Sequence, residues 1–161
     1  MLRDYQVKAI NLLKIAYKNG KKAPILVIPT GGGKTITAVS FLKELSDHGY
    51  KILFLAHRKE FIDQAKKAFM RAEIIHGVIM AGNDEHHGRN VQVASKDSLI
   101  RRLERWSNRF NLIIVDECHR GVASTYKKVY EANPKARILG LTATPCRSDG
   151  RGLGENFDDI I

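Results

Sequence analysis

The chain alternates short strands with helices, and this alternation limits the folds that it can form. The predicted strands carry apolar residues on both faces, and most are followed by a segment with apolar residues at helical spacing. The predicted strands are 25–28, 51–56, 73–80, 90–94, 112–115 and 137–141, and the predicted helices are 4–19, 34–48, 59–71, 97–106 and 122–132. Such strands, joined through helices, form a parallel sheet that is covered on both sides. The sequence therefore predicts a single doubly wound α/β domain over residues 1–161, with ligands at the carboxyl ends of the strands.

Composition excludes several other classes of protein. The chain is 43% hydrophobic and 27% charged, which excludes a disordered, collagen-like or coiled-coil chain. No apolar run is long enough to span a bilayer, and no apolar signal segment follows Met1. The two cysteines, Cys118 and Cys146, do not make a disulfide framework. We therefore expect a cytoplasmic protein without a membrane partner.

The net charge of the chain indicates which kind of molecule it binds. There are 27 Lys and Arg residues against 17 Asp and Glu residues, a formal net charge of +10. Such an excess favours a polyanion, with nucleic acid first and a membrane surface second. The alternatives are a basic domain that is merely soluble, or one that acidic sequence elsewhere balances.

A glycine-rich loop joins the first predicted strand to a helix. The loop runs from Pro29 to Thr35 and contains Thr30, Gly31, Gly32, Gly33 and Lys34. Glycines let the backbone wrap around phosphate oxygens, and the N-terminus of the helix adds a positive dipole. Lys34 supplies a cation for phosphates and Thr35 a hydroxyl for Mg²⁺. One departure from the usual P-loop pattern is Ile28, which stands where that pattern has its first glycine.

An acidic pair ends a second apolar strand. Asp116 and Glu117 directly follow the run 112–115. Asp116 can hold Mg²⁺ through water, and Glu117 can orient or deprotonate an attacking water molecule. Such a pair is usually the start of a solvated loop, but together with a phosphate loop it indicates nucleotide hydrolysis.

These residues resemble the motifs of superfamily 2 helicases and translocases, and the resemblance extends over nearly the whole chain. Asp116-Glu117-Cys118-His119 is similar to the DECH form of motif II, and the loop 29–35 to motif I, which in helicases commonly lacks the first glycine. The remaining matches are the Q motif at 2–6, motif Ia at 55–60, motif Ib at 93–95 and motif III at 142–145.

The resemblance implies a RecA-like domain that binds ATP and Mg²⁺. It implies adenine contacts from Arg3 and Gln6, phosphate contacts from the loop 30–35, Mg²⁺ ligation by Thr35 and Asp116, and catalytic roles for Lys34, Asp116, Glu117 and His119. It also implies coupling through Thr142 and Thr144, and nucleic-acid contacts from His57, Arg58 and Ser95.

The details favour one branch of the superfamily. His119, Thr142 and the segment 57–60 are more similar to the DEAD/DEAH group that contains type III restriction subunits and bacterial DNA-repair helicases than to the DEAD-box RNA helicases. The resemblance thus favours DNA as the partner, with RNA as the alternative. Family members carry a second RecA-like domain that supplies arginine fingers, and the segment after Thr144 is too short for one. We therefore expect the chain to be half of a motor, monomeric by itself, with weak nucleotide binding and little hydrolysis.

Two rival functions are a small P-loop kinase, for which no lid-like insertion is found, and a nucleic-acid-binding module without ATPase activity.

Several other residues are predicted to have structural roles. Cys118 is predicted to be a small residue that fills space between its neighbours, and Trp106 and Phe110 are predicted to pack in the core. His86-His87 is predicted to be an ordinary polar pair rather than a metal site. For the arginines that follow motif Ib, at 101, 102 and 105, a solvated face and a phosphate track remain open.

Overall fold

The apolar runs of the sequence form the strands of one sheet. This computed structural model describes residues 1–118, 123–144 and 157–161. The strands are β1 (Pro24–Val27), β2 (Ile52–Ala56), β3 (His76–Ile79), β4 (Val91–Ser95), β5 (Leu112–Val115), β6 (Arg137–Thr142) and β7 (Asp159–Ile160). They form a seven-stranded sheet in the order β3-β4-β2-β5-β6-β1-β7, and all paired strands are parallel. The predicted fold class is confirmed.

The helices follow the strands as the periodicity predicts. They are α1 (Asp4–Lys18), α2 (Lys34–Asp47), α3 (Lys59–Arg71), α4 (Lys96–Arg101) and α5 (Ala123–Ala132), with a 3₁₀ helix at Leu103–Trp106. The single helix predicted over 97–106 is wrong, because the backbone leaves the helical region at Arg102 (φ −122°, ψ 17°) and continues as the 3₁₀ turn. Within the described parts of the chain, no helix is both long and apolar enough to cross a lipid bilayer.

Two apolar clusters hold the helices on the two faces of the sheet. Successive side chains of a strand point to opposite faces. Phe54 accordingly packs in the cluster with α1, α2 and α3, while its neighbours Leu53 and Leu55 pack in the cluster with α4, the 3₁₀ helix and α5. Trp106 and Phe110 lie in the second cluster with stacked rings whose centroids are 5.9 Å apart. Their prediction as packing residues is confirmed.

The short strand β7 was not predicted, because two residues at a sheet edge carry no periodicity. It pairs with β1, and the residues just before it anchor it. The carboxylate of Asp158 accepts hydrogen bonds from the backbone N–H groups of Lys22 and Ala23 at 2.7 and 3.0 Å. The ring of Phe157 occupies the space that a side chain at Gly140 would need.

Replacement of Gly140 by alanine is expected to destabilise the fold. A Cβ there would lie 2.7 Å from Cε1 of Phe157 and 3.0 Å from Sγ of Cys118. Such overpacking in a filled core costs about 1–3 kcal/mol, which urea denaturation of the Gly140→Ala variant measures. Gly88→Ala is the matched control, because a Cβ at Gly88 meets nothing within 4 Å. Equal stability of the two variants would contradict this account of β7.

Candidate functional site

Three loops meet at one edge of the sheet because their strands are neighbours. Strand β6 lies between β1 and β5, and the register pairs Val27 with Thr142 and Val115 with Gly140. The carboxyl ends of parallel strands point the same way. The glycine-rich loop, the acidic pair and the start of motif III therefore open onto the same edge.

The glycine-rich loop has the backbone conformation that its composition predicts. Gly31 and Gly33 have φ values of +79° and +81°, in the left-handed region that suits glycine. The N–H of Gly32 donates to the carbonyl of Pro29 at 2.9 Å, and helix α2 begins directly after Gly33. Ile28 is buried beneath this turn, and a Cβ at Gly32 would approach its Cγ2 atom to 2.6 Å. Ile28, which stands where the P-loop pattern has its first glycine, thus contributes to the core.

A cluster of three charges forms where the loop meets the acidic pair. The ammonium group of Lys34 forms an ion pair with Oε1 of Glu117 and lies 3.4 Å from Oδ1 of Asp116. Their side chains are 13%, 15% and 7% exposed, so water screens these charges little. Oδ1 of Asp116 also accepts a hydrogen bond from the backbone N–H of Glu117 at 3.0 Å. The predicted catalytic residues Lys34, Asp116 and Glu117 are therefore brought together.

The environment of Asp116 acts on its proton affinity in opposing ways. Burial raises the pKa of Asp116 above its ordinary value, because the charged form loses hydration. The Lys34 ammonium group opposes this increase, and the Glu117 carboxylate adds to it.

A cleft of about 370 Å³ runs along this cluster. It is lined by Ile28, Pro29, Thr30, Gly31, Gly33, Lys34, Thr35, Ile36, Phe61, Gln64, Asp116, Glu117 and Ala143. The sequence did not predict Phe61 and Gln64 as lining residues. Both lie on α3, and their spacing of three residues on a helix that begins at the same sheet edge is the pattern that points to them.

The first turn of α1 contacts the back of the loop. Gln6 is 4% exposed, and its Nε2 donates to the carbonyl of Gly32 at 3.1 Å. Its Oε1 accepts from the backbone N–H of Arg3 at 2.8 Å, and Arg3 is exposed. Gln6 therefore reaches the loop, while adenine contacts from Gln6 and Arg3 stay predictions.

The predicted nucleic-acid residues lie at the same edge, at the carboxyl ends of the neighbouring strands β2 and β4. The register pairs Ala56 with Ser95, so Ser95 lies beside the segment that begins at His57. Arg58 is exposed at the start of α3, and Oγ of Ser95 accepts from the N–H of Ser98 at 3.4 Å. The ring of His57 lies 5.6 Å from the ring of Phe61, between centroids. Phe61 thus contacts the predicted nucleic-acid segment and also lines the cleft.

The predicted coupling residues form a tight local turn. The Thr142 hydroxyl donates to the carbonyl of Thr144 at 2.6 Å and accepts from its N–H at 3.0 Å. Thr142 is fully buried, and Ala143 between them lines the cleft. His119 lies outside the described residues, as does Cys146.

The other residues considered in the sequence analysis have contacts that fit structural roles. Burial raises the pKa of the Cys118 thiol to about 12. This agrees with its prediction as a small, unreactive residue that fills space between its neighbours. Among the described residues, no group of three or more His, Cys, Asp or Glu side chains is placed to hold a metal ion. Of the predicted polar pair, the His87 ring stacks on Trp106 with centroids 4.3 Å apart. Arg102 pairs with Glu85 at 3.0 Å, so it stabilises the loop before β4.

Two substitutions are expected to shift the pKa of Asp116 in opposite directions. Lys34→Ala removes the cation that lowers it, so the pKa rises further. Glu117→Gln removes the negative charge that raises it, so the pKa falls. The titration of the Asp116 carboxyl carbon by NMR measures both shifts. Lys14→Ala, which removes an exposed ion pair with Glu44, is the control and leaves the titration unchanged. Shifts of the same sign in the two variants would contradict the assigned geometry.

Comparisons with known proteins identify the family of this chain. A family model described as the type III restriction enzyme res subunit matches residues 1–147. IRC3 of Saccharomyces cerevisiae is 33% identical over 100% of this chain and 26% of its own length. The DNA 3'-5' translocase XPB2 of Sulfurisphaera tokodaii is 34% identical over 93% of this chain and 32% of its own length. The chain thus spans about a quarter to a third of these relatives.

A solved structure shows the same fold. The UvsW helicase from bacteriophage T4 superimposes with a TM-score of 0.80 at 17% identity, over 99% of this chain and 59% of that chain. The fold is therefore that of a helicase RecA-like domain. Together with the match over 1–147, this confirms the resemblance found in the motifs. The chain belongs to the family of the type III restriction enzyme res subunit, within the superfamily 2 helicases.

Proposed function

We propose that this chain is the ATP-binding motor domain of a DNA helicase or translocase. The observation that carries the proposal is the convergence of Lys34, Asp116 and Glu117 on one cleft beside a glycine-rich loop. A buried ammonium group between two carboxylates has little use in a module that only binds nucleic acid. A triphosphate and Mg²⁺ need such a set: a cation for the phosphates and carboxylates for the metal and the water.

The residues of the cleft fit ATP and Mg²⁺. Gly31 and Gly33 leave the loop without side chains, and the first turn of α2 follows directly. Thr35 and Asp116 supply oxygen ligands of the kind that Mg²⁺ prefers. When bound, Mg²⁺ neutralises part of the charge on the phosphates.

Lys34 connects the phosphate-binding loop to Glu117. Its ammonium group forms an ion pair with the Glu117 carboxylate. A bound phosphate competes with Glu117 for the same ammonium group. Glu117 lines the cleft beside that phosphate, where its carboxylate can accept a proton from an attacking water molecule.

The partner that we propose is DNA, held by phosphate contacts from the edge that carries His57, Arg58 and Ser95. The net charge of +10 and the relative named as a DNA translocase support this choice. Such contacts lose affinity steeply as salt rises. RNA is the alternative, and a comparison of duplex DNA with duplex RNA at equal salt decides between them.

Coupling would run through the motif III turn at Thr142 and Thr144, together with His119. A second RecA-like domain would close the cleft and supply the cations that stabilise the transition state. The three- to fourfold greater length of the relatives is consistent with such a domain.

In a protein that carries both domains, Lys34→Ala is expected to lower ATP turnover at least about 10²-fold, because a cation on the developing charge is lost. Glu117→Gln is expected to do the same while ATP binding persists. DNA binding should survive in both variants. The control is Lys43→Ala, which removes an exposed lysine of α2 that pairs with Asp47. ATP turnover by Lys34→Ala at the parent rate would refute the assignment.

The 161-residue chain by itself is expected to hydrolyse ATP about 10³–10⁵-fold more slowly than a protein that carries both domains, because arginine fingers from a second domain would stabilise the charge of the transition state. Steady-state phosphate release with and without duplex DNA measures this. Rapid DNA-stimulated turnover by the chain alone would show that it needs no second domain.

A further inference from the structure

Two side chains of α1 hold the same carbonyl group of the glycine-rich loop. The Tyr5 hydroxyl donates to the carbonyl oxygen of Gly32 at 2.5 Å, and Nε2 of Gln6 donates to the same oxygen at 3.1 Å. A carbonyl oxygen has two lone pairs, and both are used here. The Gly32 carbonyl is therefore fixed toward α1.

This fixed carbonyl also sets the direction of the next N–H group. The described residues contain no cis peptide bond, and in a planar trans peptide the C=O and the following N–H point in opposite directions. The N–H of Gly33 therefore points away from α1. Gly33 lines the cleft, whereas Gly32, whose carbonyl faces α1, is not part of the lining.

We propose that Tyr5 is a positioning residue for phosphate binding, whose hydroxyl keeps the Gly32–Gly33 peptide in the orientation that presents the Gly33 N–H to a phosphate oxygen. This inference rests on the proposed nucleotide-binding function. Its chemical target is the phosphate chain of the ligand and not the base.

The loop needs such an anchor because its own backbone is permissive. Glycine adopts positive and negative φ with similar ease, and Gly31 and Gly33 both have positive φ. A peptide flip would turn the Gly33 N–H away from the cleft and present a carbonyl oxygen, which repels a phosphate. A hydrogen bond of 2.5 Å from a residue of the neighbouring helix opposes that flip.

Tyr5 can be tested separately from the fold, whereas Gln6 cannot. Gln6 is buried and also accepts from the N–H of Arg3 at the start of α1, so its loss would disturb the helix. Tyr5 is 44% exposed. Removal of its hydroxyl leaves no cavity in the core, and Gln6 still holds the loop.

The test compares Tyr5→Phe with the unaltered protein in calorimetric titrations with pyrophosphate, ADP and adenosine. One lost hydrogen bond corresponds to about a 3- to 10-fold rise in Kd. We expect that rise for pyrophosphate and ADP alike, an unchanged Kd for adenosine, and an unchanged unfolding midpoint. Tyr50→Phe is the control, because Tyr50 is 45% exposed and lies outside the cleft lining.

The possible failures are distinct. If the unaltered protein binds ADP and pyrophosphate and Tyr5→Phe binds them equally well, the role of Tyr5 is overturned while the proposed function stands. If the unaltered protein binds neither ligand, the proposed function itself is wrong. A rise in the Kd for adenosine as large as that for ADP would place Tyr5 at the base and would also overturn the inference.

A second measurement needs no variant and covers the case in which Tyr5→Phe does not fold. In the ¹⁵N-labelled protein, pyrophosphate should shift the amide resonance of Gly33 more than that of Gly20, which lies at the far end of α1. An unshifted Gly33 amide at saturating pyrophosphate would overturn the proposed orientation of the peptide.

Discussion

The site depends on one lysine side chain that connects two loops on either side of strand β6. Lys34 follows β1, while Asp116 and Glu117 follow β5, and β6 lies between them. Neighbouring strands are about 4.8 Å apart, so the two loops begin about 10 Å from each other. The four-carbon side chain of lysine closes that gap, and a short cationic side chain would not. The strand order thus makes Lys34 the group that joins the two loops.

Stability does not explain this cluster. A buried ion pair contributes little net stability, because the desolvation of the charges offsets their attraction, and apolar residues of the same volume often do as well. Removal of one partner is costly, at about 3–5 kcal/mol, because it leaves a buried charge uncompensated. The protein therefore keeps an arrangement that is fragile to substitution and of little benefit to the fold. The proposed function gives that arrangement a purpose, since a bound phosphate would compete for the cation that the carboxylates hold.

Much of the fold and of the site could be predicted because both depend on local patterns. Strand β5 and helix α3 have the predicted bounds, since an apolar run and a helical stripe mark them without ambiguity. The sheet edge that gathers the loops follows from the parallel arrangement alone. Features set by contacts distant in sequence were missed. β7 depends on Phe157 meeting Gly140, and the break at Arg102 precedes a tryptophan that stacks in the core.

The same distinction applies within the site. Lys34, Asp116 and Glu117 could be predicted because each belongs to a local motif at the end of a strand: Lys34 ends the glycine-rich loop after β1, and the acidic pair directly follows β5. Phe61 and Gln64 were not predicted: their spacing of three residues indicates a shared face of α3, but whether that face reaches the cleft depends on how the helix packs. The contact of Tyr5 with Gly32 spans 27 residues, and no spacing rule indicates it. Sequence patterns thus identified the groups that carry charge, while the groups that orient them became visible only in the packed structure.

Phe61 lies between the cleft and the predicted nucleic-acid segment at one edge of the sheet. Helix α3 begins at Lys59, directly after Arg58, so its first turn carries Phe61 into the cleft while its preceding residues face the predicted nucleic-acid surface. Coupling between sites needs a packed element whose position both ligands influence. A shift of this turn would move the ring that lines the cleft together with His57, which it contacts. At the start of α3, a single aromatic side chain therefore contacts both the cleft and the segment at His57.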